Sequence, residues 1–129
     1  MKIHHIGYLV KSIEKSMPEF IKLGYEKETE IVYDDFRKIN ICFIKNENYR
    51  IEFVEPAKEC DFLQSLSKKI GVGTYHVCYE STDFDNDIKN LTENGYIVVQ
   101  EKAEAIAINK KNVIFLYSRN TGLLEIVES

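Results

Sequence analysis

Apolar and polar residues alternate along residues 3–10, which puts Ile6, Tyr8 and Val10 on one face of a strand and His5, Gly7 and Leu9 on the other. After Ser12 the period lengthens to that of a helix. Ile13, Met17, Phe20, Ile21 and Leu23 trace its apolar face, Ser12 is a candidate N-cap, and Gly24 suits the left-handed residue that closes a helix. Pro18 conflicts with an early start, because a helix-interior proline loses an N–H and crowds the preceding turn; this moves the expected start towards Ser16. Three strands are expected next, near residues 26–33, 37–45 and 49–55, with a polar turn at 46–48.

The same pattern then recurs. Residues 3–25 (IHHIGYLVKSIEKSMPEFIKLGY) align without a gap on residues 74–96 (TYHVCYESTDFDNDIKNLTENGY), so that His5 falls on His76, Gly24 on Gly95 and Tyr25 on Tyr96. Each half closes on an acid inside an apolar strand, Glu52 in RIEFVEP and Glu125 in LLEIVES. A repeat of this length signals a duplicated supersecondary unit, here β-α-β-β-β. The second unit should have a helix capped by Thr82 or Asp83 that carries Phe84, Ile88 and Leu91. Strands are expected near residues 96–101, 111–118 and 122–128, with an ambiguous link at 102–110. Residues 57–72 connect the units, with a short helix expected over 61–67. The expected fold is therefore α+β and one domain over residues 1–129. Module one spans 1–56 and module two 73–129, and together they form a cupped mixed sheet, a half-open barrel with helices outside.

Composition narrows the function classes. The net charge is −4, and the lysines are scattered among acids, which argues against nucleic acid as a partner. No signal-peptide pattern and no apolar run long enough for a bilayer is present, so no membrane association and a cytoplasmic location are expected. Three cysteines, Cys42, Cys60 and Cys78, with no CxxC spacing read as reduced thiols.

Strand parity then singles out four polar residues. His5, Glu52, His76 and Glu125 each project from a strand whose opposite face is apolar. A carboxylate or imidazole turned inward must be paired or bound, since an isolated buried charge is costly. Two imidazoles and two carboxylates at equivalent positions of two repeats suit one divalent metal ion, with Ni, Co, Zn, Mn and Fe all compatible with a mixed N/O set. His4 has the opposite parity, matches only Tyr75 in the repeat, and reads as an ordinary strand residue.

The segments HHIGYLV, RIEFVEP, GTYHVCYE and VIFLYSRNTGLLEIVE resemble the vicinal-oxygen-chelate (glyoxalase/bleomycin resistance/dioxygenase) superfamily, and the resemblance covers nearly the whole chain. It is closest to the methylmalonyl-CoA epimerase and bacterial glyoxalase I branches. It implies paired βαβββ modules around one metal, with His5, Glu52, His76 and Glu125 as ligands. The second ligand, commonly Gln in epimerases, is Glu52 here, as in bacterial glyoxalase I; the GTYHVCYE and RNTG segments are more like the epimerases. The implied activity is a metal-dependent isomerase or lyase that takes a proton from the carbon beside a carbonyl through a stabilised enolate. The substrate would be methylmalonyl-CoA or, alternatively, a methylglyoxal–thiol adduct, in either case a small carbonyl or acyl-thioester molecule. Glu125 and Glu52 are the expected acid/base pair.

Arg50 and Arg119 are candidate substrate contacts, with Lys111 a further cation. Asp35 is both a candidate acid and ordinary turn chemistry. The competing class is a non-catalytic small-molecule binding module on the same fold. Strand edges favour a homodimer, although one chain with both modules supplies a full ligand set.

Overall fold

The computed structural model describes all of residues 1–129. The chain forms two compact units, residues 6–75 and residues 1–5 with 76–129. In chain order the elements are β1 (Lys2–Leu9), α1 (Ile13–Lys22), β2 (Glu26–Lys27), β3 (Val32–Asp34), β4 (Ile39–Asn46), β5 (Tyr49–Pro56), α2 (Asp61–Ile70), β6 (Gly73–Ser81), α3 (Phe84–Glu93), β7 (Ile97–Ala105), β8 (Lys111–Ser118) and β9 (Gly122–Glu128). A 3-10 turn at Ile106–Ile108 precedes β8. The fold class is α+β, with parallel and antiparallel pairings in both units.

In the unit of residues 6–75, β1 runs parallel to β5, β5 runs antiparallel to β4, and both β2 and β3 pair with β4. Helix α1 covers one face of this sheet. Val10, Ile13, Cys42, Ile44, Ile51 and Phe53 form the core there, with Tyr8, Met17, Phe20 and Tyr25 packed against them. Each fully buried Ile, Val or Phe contributes about 1.5–3 kcal/mol of hydrophobic stabilisation, so this cluster anchors the face opposite Glu52. The Glu55 carboxylate accepts a hydrogen bond from the Ile13 N–H (2.8 Å), placing negative charge where the helix start has unpaired donors.

The other unit repeats the plan. Strand β6 runs parallel to β9, followed by antiparallel β8 and β7. Its core comprises Phe84, Ile114, Leu116, Leu124 and Ile126, with Tyr79, Ile88, Leu91, Tyr96 and Val98 beside them. Both helices end in the same way. Gly24 and Gly95 have positive φ (101° and 95°), which a Cβ would make costly. The Tyr25 N–H reaches back to the Phe20 carbonyl and the Tyr96 N–H to the Leu91 carbonyl.

Four sequence expectations change. Helix α1 starts at Ile13, with Ser12 Oγ accepting from the Lys15 N–H, and Pro18 lies inside it. Pro18 and Glu14 are both exposed, so the carbonyl that loses its partner faces water rather than the core. The apolar face is also narrower than expected, because Ile21 and Leu23 are exposed and only Ile13, Met17 and Phe20 pack inward.

The expected strand at 26–33 is broken into β2 and β3. At the break, the Glu28 and Thr29 N–H groups both donate to the Phe43 carbonyl, while the Phe43 N–H donates to Thr29 Oγ1. Two residues thus oppose one, as in a bulge. Conversely, the first four residues of the supposed link at 102–110 are strand. β7 runs on to Ala105, with register shifts absorbing its irregular pattern. No helix is long and apolar enough to cross a membrane.

Candidate metal centre

Three of the four inward polar residues belong to one unit: His5 from β1, His76 from β6 and Glu125 from β9. Their side chains meet tip to tip. His5 Nε2 lies 3.2 Å from His76 Nε2, and Glu125 Oε2 lies 3.3 Å from the first and 3.0 Å from the second. All three residues are buried, at 1%, 3% and 3% exposure. Strand parity produces this convergence, since Leu124 and Ile126 go to the core beneath α3 while Glu125 takes the other face.

The triangle has the dimensions of a coordination face. Ligand atoms about 2.0–2.2 Å from a shared ion, at angles between octahedral and tetrahedral, stand about 3.0–3.5 Å apart. Two imidazole nitrogens and a carboxylate oxygen at 3.0–3.3 Å meet that requirement. The donor set therefore fits a divalent ion, with His5, His76 and Glu125 as candidate ligands.

The electrostatics agree with a ligand role. Burial pushes the Glu125 carboxyl up, but hydrogen bonds from His5 and His76 outweigh it and hold the group well below the usual carboxylate range. This favours the carboxylate form that a metal ligand needs. Phe115 stands edge-on to the His76 ring (5.2 Å between centroids) and is the cross-strand partner of Glu125, so it walls one side of the cluster. Sequence reading missed Phe115; its parity with Glu125 across the β8–β9 hairpin was the signal that could have found it.

Glu52, in the unit of residues 6–75, is buried at 5% exposure. Its setting mirrors that of Glu125. It pairs with Phe43 on β4 and Gly7 on β1, as Glu125 pairs with Phe115 on β8 and Cys78 on β6. The duplicated strands thus give each acid an aromatic neighbour on one side and a small residue on the other.

The remaining candidates lie in ordinary surroundings. Arg50 is half-buried and ion-paired with Glu28 (Nε to Oε1, 2.8 Å). Asp35 is exposed and paired with Lys38 in the turn after β3. Arg119 is exposed in the β8–β9 turn, and Lys111 is half-buried at the start of β8. All three cysteines are free thiols, and Cys42 and Cys78 are fully buried. Burial pushes the Cys42 thiol up, which makes it unreactive.

His4 departs from its expected role as a plain strand residue. Its Nδ1 lies 2.8 Å from His5 Nδ1, with the two rings edge to face. It touches a candidate ligand directly.

Comparison with known proteins agrees with this architecture. Residues 4–115 match the model of the Glyoxalase/Bleomycin resistance protein/Dioxygenase superfamily. A mitochondrial methylmalonyl-CoA epimerase of Dictyostelium discoideum is 24% identical over 98% of this chain and 78% of its own length. Among solved structures, a hypothetical protein from Bacillus halodurans superposes with a TM-score of 0.87 at 24% identity, covering 99% of this chain and 94% of its own. A single-substitution variant of Streptomyces coelicolor methylmalonyl-CoA epimerase in complex with 2-nitronate-propionyl-CoA superposes with a TM-score of 0.87 at 18% identity, covering 100% and 97%. These likenesses establish the fold anticipated from the repeat, and with the family match they identify the chain as a member of the glyoxalase/bleomycin resistance protein/dioxygenase superfamily.

Proposed function

We propose that the protein is a metal-dependent epimerase that exchanges the proton on the carbon beside a thioester carbonyl, with methylmalonyl-CoA as the model substrate. The observation that carries this reading is the convergence of His5 Nε2, His76 Nε2 and Glu125 Oε2 within 3.0–3.3 Å of one another. Glu52 supplies the fourth ligand in this reading, on the strength of its burial and its equivalence to Glu125. The substrate class is drawn from relatives that are methylmalonyl-CoA epimerases, one of them solved with an acyl-CoA analogue.

A carbon acid next to a thioester is weak, so the developing enolate oxygen needs a fixed positive charge. A divalent ion, when bound, supplies that charge as a Lewis acid. His5 and His76 are neutral ligands that keep the net charge of the site low. Glu125, held as a carboxylate, and Glu52 form the acid/base pair. One takes the proton from one face of the carbon, and the other returns a proton to the opposite face, so the configuration inverts with no net change in atoms. Burial of all four side chains keeps bulk water from quenching the carbanion.

A second reading rests on one residue. Glu52, in place of the glutamine common in epimerases, gives the donor set of bacterial glyoxalase I. The same proton transfer on a methylglyoxal–thiol adduct would then be the activity. Metal analysis of the purified protein, followed by deuterium uptake from heavy water into methylmalonyl-CoA, separates the readings. Near-stoichiometric metal with exchange supports the epimerase. Metal without exchange, together with turnover of the thiol adduct, supports the lyase; metal with neither activity points to a binding module.

A further inference from the structure

We infer that His4 is a positioning residue that holds His5 in the tautomer able to bind metal; the inference rests on the metal-centre reading above. His4 Nδ1 and His5 Nδ1 are 2.8 Å apart, a hydrogen-bond distance between two ring nitrogens. A neutral imidazole carries one N–H, so one of these nitrogens donates and the other accepts. The direction decides what His5 offers on its other side. If His4 donates, the His5 proton sits on Nε2, where it points at Glu125 Oε2 and masks the lone pair needed for coordination. If His5 donates, Nε2 presents a bare lone pair to the site, and the His4 proton sits on its own Nε2.

The second arrangement is the one a metal at His5 Nε2 requires, the ion taking the place of the hydrogen bond that His5 gives Glu125 without it. Ligating histidines owe both orientation and basicity to a partner for the second ring nitrogen. His5 is buried at 1% exposure, so water is a poor substitute for that partner. His4 is half-buried, so it is less enclosed than the ring it contacts. Adjacent residues on a flat strand face opposite ways, and the edge-to-face packing of the two rings (5.1 Å, 78°) brings the nitrogens together despite that parity. The first half of the repeat therefore carries a device the second lacks, since Tyr75 precedes His76.

The test compares cobalt(II) binding by the wild type, His4→Phe and His4→Gln. Phe keeps a ring without an acceptor, and Gln restores an acceptor of similar reach. His4→Phe should weaken cobalt binding about 10- to 100-fold at unchanged stoichiometry, and His4→Gln should recover most of the loss. Nitrogen-15 spectra of cobalt-free and zinc-loaded wild type should place the His5 proton on Nδ1 when zinc is bound, a readout indifferent to folding defects. Equal cobalt affinity in the wild type and His4→Phe would overturn the inference while leaving the metal centre intact. So would a sulfur-to-cobalt charge-transfer band lost in Cys78→Ser: the Cys78 thiol lies within 4.8 Å of a ring nitrogen of His4 and of His5, and an ion there would make His4 a ligand. Absence of cobalt binding by the wild type would instead sink the metal-centre reading itself.

Discussion

The two halves of the repeat share one plan, and their differences separate what the fold needs from what the site needs. The pairs that close the helices, Gly24–Tyr25 and Gly95–Tyr96, are the same in both, as is the aromatic-flanked acid on the last strand. The edges have diverged. The unit of residues 6–75 breaks its outer strand into β2 and β3, whereas the other runs β7 unbroken over nine residues with register shifts. The polar chemistry is shared: the first copy supplies His5 and Glu52 and the second His76 and Glu125, with Gly7 beside Glu52 where Cys78 stands beside Glu125. The unit of residues 1–5 with 76–129 gathers three of the four. Interior strand faces are held by packing; outer strands are free to drift.

That contrast can be broken first at the ligand-rich unit. His76→Ala and Glu125→Ala should each abolish metal retention and deuterium exchange, measured by elemental analysis and mass spectrometry. The expected fall in exchange is at least about 100-fold. Glu52→Gln, which keeps shape but removes the base, should retain much of the metal and lose about 100- to 10,000-fold in exchange. Full exchange in Glu52→Gln would show that the ligand-poor unit contributes no proton transfer.

The two cores offer a comparison of stability. Phe53→Ala removes a fully buried ring that packs against Phe20 (4.9 Å between centroids), and should cost about 3–5 kcal/mol. Leu116→Ala in the other core should cost about 2–5 kcal/mol, read from denaturant melts. Ser12→Ala deletes the α1 cap bond and should cost about 1 kcal/mol, with little effect on metal.

Acid should affect the ligand-rich unit through Glu125. Its folded-state pKa lies below its unfolded value, so its contribution to stability is complete above the ordinary glutamate value of about 4.3 and is lost as pH falls below that. Metal-free protein should therefore lose stability below about pH 4, and Glu125→Gln should flatten that part of the curve. Metal affinity should also fall with acid, because ligands must shed their protons to bind a metal.

Much of this was legible in the sequence because period-two alternation and a 71-residue repeat offset act on the same residues. Parity placed Tyr8, Phe53, Tyr79 and Ile126 beneath the helices, and it assigned His5, His76 and Glu125 to the opposite face. What escaped depended on local geometry that parity ignores. Pro18 is tolerated because its turn faces water, and the Thr29 hydroxyl interrupts a strand that propensity alone would continue. His4 was set aside by its parity, yet two adjacent rings can meet by rotating towards each other. Phe115 becomes visible only after β8 and β9 are paired in register.

The most direct test is equilibrium binding of one divalent metal, such as cobalt(II), to the purified chain beside its His76→Ala variant. One ion per chain is expected in the wild type and no measurable binding in the variant, with both folded. Failure of the folded wild type to bind any divalent metal, or equal binding by the variant, would contradict the metal-centre reading.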